Sequence, residues 1–466
     1  NLTRLSIYFK SNYNYLHLLS RFDNSTNIED YFKSMKVSKY NFIIPFDEKS
    51  SLIYNTLSNA FIKIFNENLC YLENNNSDLL KLNNSVVQQL YKGRFLIEED
   101  FDELAFLQYK YDSQKYNKDV MTLTIAPTLN CNFDCHYCFE NKEIGQIDDV
   151  IEDKILQLIS NNINKIKLLR INWFGGEPLL VKNRVMSITK SIDTICKNNN
   201  VKIQFSIITN GYNIDEVIAK FFKEYKFKNI QITLDGPREI HDKKRILING
   251  KGTYDVIITN IKLLVKYNNQ VSIRINTDKT NWHLINDVLL DLKTNNLLDV
   301  SPYLGHILPY NTNDKLMEET CYTKEDFAKI EIEFSKLLKH YGFKNFIRHP
   351  RQRGNYCSAD QVNSLVINYD GELYKCYSDI GDKTLSCGNL NNNNNSYSQI
   401  TNTLKYINWN HNLSSKCISC KILPLCMGGC PYWGIRLNGC SCDTWKYNLS
   451  ESLVNLYHER IARKQL

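Results

Sequence analysis

Three cysteines on one short stretch of the chain have a spacing that suits an iron–sulfur cluster. Cys131, Cys135 and Cys138 are separated by three and then two residues. Three thiolates on one loop can bind three irons of a cubane cluster and leave the fourth iron without a protein ligand. An open metal position is typical of catalytic sites rather than structural ones. Zinc with His136 as fourth ligand is the alternative, but a histidine between two cysteines of an extended loop would point its side chain away.

Further polar segments come directly after predicted strands. Any one of them alone is typical of a turn. In parallel α/β sheets, however, ligands bind outside the carboxyl ends of the strands, so we expect all these segments to meet at one rim. They are Gly175-Gly176-Glu177, Thr209-Asn210-Gly211 with Ser206 upstream, Asp235-Gly236-Pro237, and the pair Arg274 and Asn276.

The first cysteine segment, with Tyr137 before its last cysteine, resembles the signature of the radical S-adenosylmethionine (SAM) superfamily. The resemblance implies that SAM chelates the open iron of the cluster and is cleaved to a 5′-deoxyadenosyl radical. It also implies that Glu177 lies in the segment that binds the methionine amino group, and that Thr233-Leu234-Asp235-Gly236-Pro237 is similar to a further family segment. The implied SAM-binding residues are Tyr137, Gly175, Gly176, Glu177, Ser206, Thr209, Asn210, Asp235, Arg274 and Asn276.

A second group of cysteines lies towards the end of the chain and could hold zinc or two more clusters by spacing alone. Its pattern is similar to the SPASM extension of radical enzymes that modify peptides. That resemblance implies three [4Fe–4S] clusters in all. By this resemblance, the ligands of the first auxiliary cluster would be Cys357, Cys376 and Cys430. The ligands of the second would be Cys417, Cys420 and Cys426, completed by either Cys440 or Cys442.

The first auxiliary cluster has only three obvious ligands. Cys387 is a possible fourth ligand, with a free thiol as the equal alternative. Without a fourth ligand, the open iron could bind a substrate thiolate.

The elements that must position these residues alternate between strands and helices from about 120 to 345. This alternation predicts right-handed crossovers and a parallel sheet, an α/β partial (βα)6 barrel of the TIM type. The predicted strands are Met121–Ala126, Leu168–Phe174, Ile203–Thr209, Ile230–Leu234, Val271–Asn276 and Pro302–Leu308. The predicted helices are Val150–Ile163, Leu180–Cys196, Asp215–Tyr225, Tyr254–Tyr267 and Trp282–Thr294.

The flanking segments predict two further domains. Residues 1–115 show strands at Tyr40–Phe46 and within Ser51–Ile64, then a helix at Ser77–Leu90, which favours a small α+β module that could recognise a leader peptide. Residues 116–348 would form the radical SAM core. Residues 349–466 are rich in cysteine, glycine and asparagine, so metal ligation would supply their folding energy.

The composition of the chain limits which partners, location and cysteine chemistry the sequence predicts. The chain has 466 residues, a formal net charge of +7 spread along its length, and no apolar run of membrane-spanning length. We therefore expect no nucleic-acid or membrane partner, and the absence of a visible signal peptide predicts a cytoplasmic protein. Its 15 cysteines are then better explained by metal ligation than by disulfides. Because the first residue is Asn, we expect a short start to precede this numbering.

The resemblance predicts an anaerobic peptide maturase that forms an intramolecular thioether crosslink in a precursor peptide with a leader, fed by a donor such as flavodoxin or ferredoxin. The alternatives are carbon–carbon cyclophane formation, epimerisation, and formylglycine formation in a sulfatase. The last would need a carboxylate base, for which Asp379 is a candidate, although a solvated loop aspartate is the preferred interpretation of this residue. A non-catalytic electron carrier or a zinc-bearing interaction protein is the alternative from another class.

Overall fold

The computed structural model describes residues 35–73, 82–138, 140, 142–308, 319–344, 348–392, 394–411 and 414–465. The chain divides into two compact units. The first unit comprises residues 1–115, 347–356 and 410–466, and the second comprises 116–346 and 357–409. The predicted C-terminal segment 349–466 therefore contributes to both units, and the functional division into three domains stays a prediction.

The first unit begins with two small antiparallel sheets. One is the three-stranded sheet β2-β3-β4 and the other pairs β1 with β5. The predicted strands are confirmed, and the predicted helix Ser77–Leu90 is confirmed from Asn84 on, while its residues 77–81 lie outside the described residues. The elements are β1 Met35–Val37, β2 Asn41–Asp47, β3 Ser50–Asn55, β4 Phe61–Phe65, α1 Asn66–Glu73, α2 Asn84–Lys92, β5 Leu96–Glu98 and α3 Glu103–Lys115.

One buried side chain joins the two small sheets. Asn55 ends β3 and is 1% exposed. Because its amide can both donate and accept, it satisfies backbone groups in the turn that follows it and in the segment before β5. Its Nδ2 donates to Ser38 Oγ, Asn41 Oδ1 and the Arg94 carbonyl, and its Oδ1 accepts from the Leu57 and Ser58 amides, at 2.8–3.1 Å.

The second unit contains a nine-stranded sheet in the order β11-β10-β9-β8-β7-β6-β12-β13-β14. Six of its strands lie in chain order and pair in parallel, which confirms the predicted α/β architecture. They are β6 Val120–Ile125, β7 Leu168–Trp173, β8 Lys202–Thr209, β9 Asn229–Thr233, β10 Val271–Thr277 and β11 Ser301–His306.

The crossover helices cover one face of this sheet, where Leu169, Ile171 and Trp173 of β7 are fully buried in a continuous apolar core. All five predicted helices are confirmed, and two helices were not predicted, α7 and α10. The helices are α4 Asp149–Asn162, α5 Lys182–Asn198, α6 Glu216–Glu224, α7 Arg238–Lys244, α8 Tyr254–Lys266, α9 Ile285–Thr294, which a short 3₁₀ turn precedes, and α10 Lys324–Tyr341.

Three strands that the sequence did not predict extend the sheet beyond β6. They are β12 Ser364–Ile367, which pairs in parallel with β6, and the antiparallel β13 Glu372–Tyr374 and β14 Gly388–Asn389. The helix α11, Tyr397–Ile407, follows them. Part of the cysteine-rich segment is therefore a continuation of the central sheet.

The rest of the C-terminal segment packs in the first unit. It contains three short helices and one long helix whose residues Trp445, Leu449 and Leu453 are buried against Leu52 of β3 and Phe61 of β4. These helices are α12 Ser415–Ile418, α13 Leu423–Cys426, α14 Pro431–Arg436 and α15 Trp445–Gln465.

We predict that Asn55→Ala weakens the three-stranded sheet. The substitution leaves buried backbone groups without partners, which costs about 2 kcal/mol or more. Hydrogen exchange read by mass spectrometry should show protection of the β3 and β4 amides falling by roughly 30-fold. The control is Asn84→Ala, an exposed position on α2, which should leave that protection unchanged. Equal protection in both variants would contradict the assigned role of Asn55.

Candidate active site

The first cysteine loop leaves the carboxyl end of β6 and is anchored at its middle. Phe133 is 1% exposed and forms an isolated bridge with Leu247. Two further backbone bonds flank it, from Asp134 to the Ile246 carbonyl at 2.8 Å and from Ile248 to the Asn132 carbonyl at 3.0 Å. This anchoring holds Cys131 and Cys135 on either side of a buried phenylalanine.

The surroundings of the thiols in this loop favour metal-bound thiolates over free thiolates. Burial, with smaller contributions from the negative charges of Glu177 and Cys135, raises the pKa of the Cys131 thiol to about 12. Burial also raises the pKa of Cys135, while Cys138 is exposed. A bound cation would compensate both the desolvation and the mutual repulsion of these groups, so the residues fit a metal cluster.

The Gly175-Gly176-Glu177 segment lies directly on the cysteine loop. The Gly176 amide donates to the Thr128 carbonyl at 3.2 Å, and the Glu177 amide donates to the Asn130 carbonyl at 2.9 Å. A Cβ atom on Gly176 would lie 2.3 Å from the Asn130 oxygen, and one on Gly175 would lie 2.4 Å from the Thr128 oxygen. Only glycine permits this close approach of the two backbones.

The Glu177 carboxylate is fully buried and joins this segment to the end of β8. Its Oε1 accepts from the Leu179 amide at 2.8 Å and the Thr209 hydroxyl at 2.7 Å, and its Oε2 accepts from the Asn210 amide at 2.6 Å. Burial raises its pKa, against the effect of these bonds. The Glu177 carboxylate, which is the predicted acceptor for an ammonium group, thus already accepts three hydrogen bonds and can accept few more.

The end of β8 also reaches the cysteine loop. Asn210 Nδ2 donates to Asn132 Oδ1 at 2.8 Å and lies 4.0 Å from the Cys131 sulfur. Ser206 lies further down the strand, where its hydroxyl donates to Asn172 Oδ1 of β7. Of the two predicted side chains, Asn210 therefore lies at the cysteine loop and Ser206 on the polar face of the sheet.

Three side chains and one backbone amide close the other end of the cysteine loop. The Tyr137 hydroxyl donates to Asp235 Oδ2 after β9, and Asp235 Oδ1 accepts the backbone amide of Asn276 at 3.0 Å. Arg245 donates to the Tyr137 oxygen at 2.6 Å and lies 3.7 Å from Asp235 Oδ2. Burial raises the pKa of Tyr137, so the phenol keeps its proton and the Arg245–Asp235 pair balances the charge.

Sequence reasoning missed Arg245 and Glu140. Arg245 follows the short α7, where no hydrophobic periodicity marks it as buried. Glu140 has a buried Oε2 with no partner among the described residues, and burial, together with the charge of Glu177, raises its pKa to about 7. Its position two residues after Cys138 was the only sequence signal.

Arg274 lies in a space that a glycine provides. Its Nε donates to Asn276 Oδ1 at 2.7 Å, and Gly305 of β11 pairs with Asn276 of β10. A Cβ on Gly305 would lie 2.6 Å from Arg274 Nε. The structure thus brings the predicted segments after β6, β7, β8, β9 and β10 into one hydrogen-bonded rim, while their roles towards SAM stay predictions.

The auxiliary thiols of the second unit surround the end of β13. Cys376 and Cys387 are buried, and the Cys357 sulfur accepts from the Ala359 amide at 3.3 Å. Asp379, the candidate base, is 3% exposed and its Oδ2 accepts the Tyr406 hydroxyl at 2.6 Å. The alternative interpretation of Asp379 as a solvated loop residue is therefore wrong.

Five thiols of the first unit form a group connected by electrostatic interactions. Cys440 lies close enough to Cys417 and Cys442 for these thiols to affect its pKa, and its sulfur accepts the Ser414 hydroxyl at 3.9 Å. Burial raises the pKa of Cys426 to about 12, with contributions from Cys420 and Cys442. Both candidates for the last ligand, Cys440 and Cys442, therefore belong to this group of thiols.

Two findings leave the cluster assignments as predictions. Cys430 belongs to the first unit, whereas Cys357 and Cys376 belong to the second. Within the part of the chain that the structure describes, no three His, Cys, Asp or Glu side chains form a group that could hold one metal ion.

No helix among the described residues combines the length and apolar character needed to cross a membrane.

Comparisons with known proteins agree with this site. Residues 125–288 match the model of the Radical SAM superfamily. A cysteine-type anaerobic sulfatase-maturating enzyme of Clostridium novyi is 28% identical over 337 residues, which cover 66% of this chain and 87% of that protein. The radical SAM cyclopropyl synthase TigE of Paramaledivibacter caminithermalis is 23% identical over 441 residues, 89% of each chain.

A solved structure shares the fold. Native anSMEcpe with bound AdoMet and the Kp18Cys peptide has a TM-score of 0.57 at 20% identity, covering 73% of this chain and 99% of that one. The matches identify an enzyme and exclude the interpretation as a non-catalytic carrier or zinc protein. The chain belongs to the radical SAM superfamily, whose members bind S-adenosylmethionine and a [4Fe–4S] cluster.

Proposed function

We propose that this enzyme modifies a ribosomally made precursor peptide and forms an intramolecular thioether crosslink in it. The observation that carries the proposal is the direct packing of the Glu177 segment on the cysteine loop, through the 2.9 Å bond from the Glu177 amide to the Asn130 carbonyl. This contact joins three thiols to an acidic, glycine-lined rim at the strand ends, where parallel α/β proteins bind their ligands.

Cys131, Cys135 and Cys138 would hold the SAM cluster. When bound, the cluster and SAM supply a 5′-deoxyadenosyl radical, which abstracts a hydrogen atom from the substrate. The protein buries the two acidic side chains beside this loop: Glu177 and Asp235 are fully buried. Asn210 and Tyr137 then orient the two ends of the cysteine loop through side-chain hydrogen bonds.

The SAM-binding residues are proposed from this same rim. Gly175, Gly176 and Glu177 would lie beside the methionine end of the ligand. Because three backbone and hydroxyl donors already occupy the Glu177 carboxylate, we propose that it acts mainly by fixing the segment's backbone. The remaining proposed contacts are Tyr137, Ser206, Thr209, Asn210, Asp235, Arg274 and Asn276.

Two auxiliary clusters complete the proposal. Five connected thiols in the first unit support the second auxiliary cluster, since one more thiol is present than a cubane requires. Cys357, Cys376 and Cys430, with Cys387 as a possible fourth ligand, are proposed for the first. A crosslink needs such an electron acceptor, because the substrate radical must lose one electron when the new bond closes.

The N-terminal sheet supports a peptide substrate. Its outer strands, β2 and β4, each pair on one side only among the described strands, and an extended leader peptide can add to such an edge. The cyclopropyl synthase TigE matches 89% of this chain, against 66% for the sulfatase-maturating enzyme. We propose a cytoplasmic, anaerobic enzyme that receives electrons from a flavodoxin or ferredoxin.

Formylglycine formation in a sulfatase is the second candidate, favoured by the sulfatase-maturating relative. Asp379 is the carboxylate considered as its base. Its bond to the Tyr406 hydroxyl and its burial argue against a proton acceptor open to substrate. Carbon–carbon cyclophane formation and epimerisation stay as alternatives within the peptide-modifying class.

We predict that Cys131→Ala, Cys135→Ala and Cys138→Ala each abolish SAM cleavage. Each removes a ligand of the proposed SAM cluster, so the 5′-deoxyadenosine formed should fall to the level without enzyme. The measurement is chromatography after anaerobic reconstitution and dithionite reduction. The matched control is Cys70→Ala, an exposed thiol on α1, which should cleave SAM at the wild-type rate. Undiminished cleavage in any loop variant would remove that cysteine from the ligand set.

We predict that Gly176→Ala slows SAM cleavage by between about 10- and 100-fold, because its Cβ would force the two loops apart. Far-ultraviolet circular dichroism should show an unchanged fold. The control is Gly250→Asn, since position 250 has open space around it and a left-handed backbone that asparagine tolerates. A folded Gly176→Ala enzyme with the wild-type rate would contradict the close-approach argument.

We predict that co-expression with a short cysteine-rich peptide encoded beside this gene removes two hydrogen atoms from that peptide. Mass spectrometry distinguishes the candidates, since epimerisation leaves the mass unchanged, whereas formylglycine formation from cysteine removes two hydrogen atoms and also exchanges a sulfur for an oxygen. Alkylation of the product then separates a thioether, which has lost its thiol, from a carbon–carbon bond, which has not. The Cys131→Ala enzyme is the matched negative control.

A further inference from the structure

A buried histidine on α7 links the segment after β9 to the start of α8. His241 is 0% exposed. The backbone amide of Asp235 donates to its Nδ1 at 3.3 Å, and its Nε2 lies 3.1 Å from the hydroxyl oxygen of Thr253. The ring of Tyr254 contacts it edge-on, with the ring centroids 5.5 Å apart. Both ring nitrogens therefore have partners inside the protein.

These partners determine which ring nitrogen carries the proton. A backbone amide can only donate, so Nδ1 of His241 must accept and is unprotonated. The single proton of the neutral ring is then on Nε2, which donates to Thr253 Oγ1. The hydroxyl proton of Thr253 in turn donates to the Arg245 carbonyl, which lies 2.8 Å away. The hydrogen bonds thus run in one direction, from the Asp235 amide to the Arg245 carbonyl.

The surroundings of the imidazole keep it neutral. Burial, together with the charge of Arg245, lowers the pKa of His241 well below the usual range of histidine. A protonated ring would also direct an Nδ1–H group at the Asp235 amide, which would replace an attraction by a repulsion. We therefore expect this chain of hydrogen bonds to persist at neutral pH.

The ends of the chain are the two residues that hold Tyr137. Asp235 Oδ2 accepts the Tyr137 hydroxyl, and Arg245 donates to the same phenol oxygen at 2.6 Å. The chain through His241 and Thr253 thus closes a ring of hydrogen bonds with these three residues. Because Tyr137 directly precedes the last cysteine of the loop, the ring fixes that end of the loop from inside the protein.

Asp242, the next residue on α7, holds Thr253 in place. Its Oδ1 accepts the Thr253 amide at 2.6 Å and the Tyr254 amide at 2.8 Å, at the beginning of α8. A Cβ on Gly252 would lie 2.3 Å from Asp242 Oδ2, so this glycine leaves space for the carboxylate. The position of the Thr253 hydroxyl is therefore determined by its own backbone and by His241.

We propose that His241, with its proton on Nε2, is a positioning residue for SAM cleavage. With Thr253, it sets the separation between the backbones of Asp235 and Arg245. That separation in turn determines where the Tyr137 hydroxyl lies beside the cysteine loop. The inference rests on the proposed function, in which Tyr137 contacts SAM, and His241 itself touches no reacting atom.

The first experiment compares the rate of 5′-deoxyadenosine formation in Thr253 variants after anaerobic reconstitution and reduction. Thr253→Val keeps the shape of the side chain and loses the hydroxyl, so we expect the rate to fall by about 10-fold. Thr253→Ser restores the hydroxyl and should recover most of the rate. The matched control is Thr259→Val, which removes an exposed hydroxyl that donates to the Asp255 carbonyl at 2.8 Å and should leave the rate unchanged.

A double-mutant cycle shows whether the loss passes through Tyr137. Tyr137→Phe removes the phenol oxygen that both ends of the chain hold, so Thr253→Val should cost little more in this background. The cycle is read on the cleavage rate and on SAM binding by equilibrium dialysis, which stays measurable when a variant does not turn over. Equal losses in both backgrounds would indicate a structural role of Thr253 and would overturn the proposal, as would a Thr253→Val enzyme as active as the parent.

NMR of the full chain, labelled with ¹⁵N at histidine, reads the tautomer independently. We expect an imidazole with unprotonated Nδ1 and protonated Nε2 that is unchanged between about pH 6 and 8 and is missing in His241→Gln. A His241 ring that titrates in this range, or carries its proton on Nδ1, would contradict the proposal. The NMR and SAM measurements need no peptide, so an unmodified peptide beside the expected Thr253 effects would refute the peptide chemistry and leave the role of His241 standing.

Discussion

Two backbone segments at the carboxyl ends of β6 and β7 touch with no room for a side chain between them. The carbonyls of Thr128 and Asn130 accept the amides of Gly176 and Glu177, and a Cβ on Gly176 would lie 2.3 Å from the Asn130 oxygen. Backbone contacts of this kind do not adjust as long side chains do, so they fix the separation of the segments. The thiols and the Glu177 carboxylate derive their mutual placement from this contact.

Burial then determines the electrostatics of the rim. Glu177, Asp235 and Arg245 are held in the protein interior, where each charge must be met by a partner or by hydrogen bonds. Glu177 is met by three donors, and Asp235 by Tyr137, Arg245 and a backbone amide. What stays uncompensated is the cysteine loop, whose thiols become stable thiolates only when a cation binds. The site is therefore stable as folded and prepared for a metal cluster.

The sequence predicted the parallel sheet and the rim because period-two and helical patterns alternate clearly from 120 to 345. It missed α7, where five of seven residues are charged, two of them acidic and three basic, around a buried His241. It also missed α10, although Thr323 caps its first turn and Gly342 ends it in a left-handed conformation. Buried charged residues such as Arg245 escape sequence reasoning, because their burial depends on partners far away in the chain.

The order of segments along the chain differs from their order in space. The sequence divides naturally at residue 348, yet β12, β13 and β14 extend the central sheet, and α15 returns to the N-terminal module. Trp445, Leu449 and Leu453 share one apolar cluster with Leu52 and Phe61. Removal of residues 1–115 would therefore expose this face of α15 to water and destabilise the helices that carry Cys417 and Cys426. A role of the N-terminal sheet in leader binding is thus better tested by substitutions at the exposed edges of β2 and β4 than by truncation.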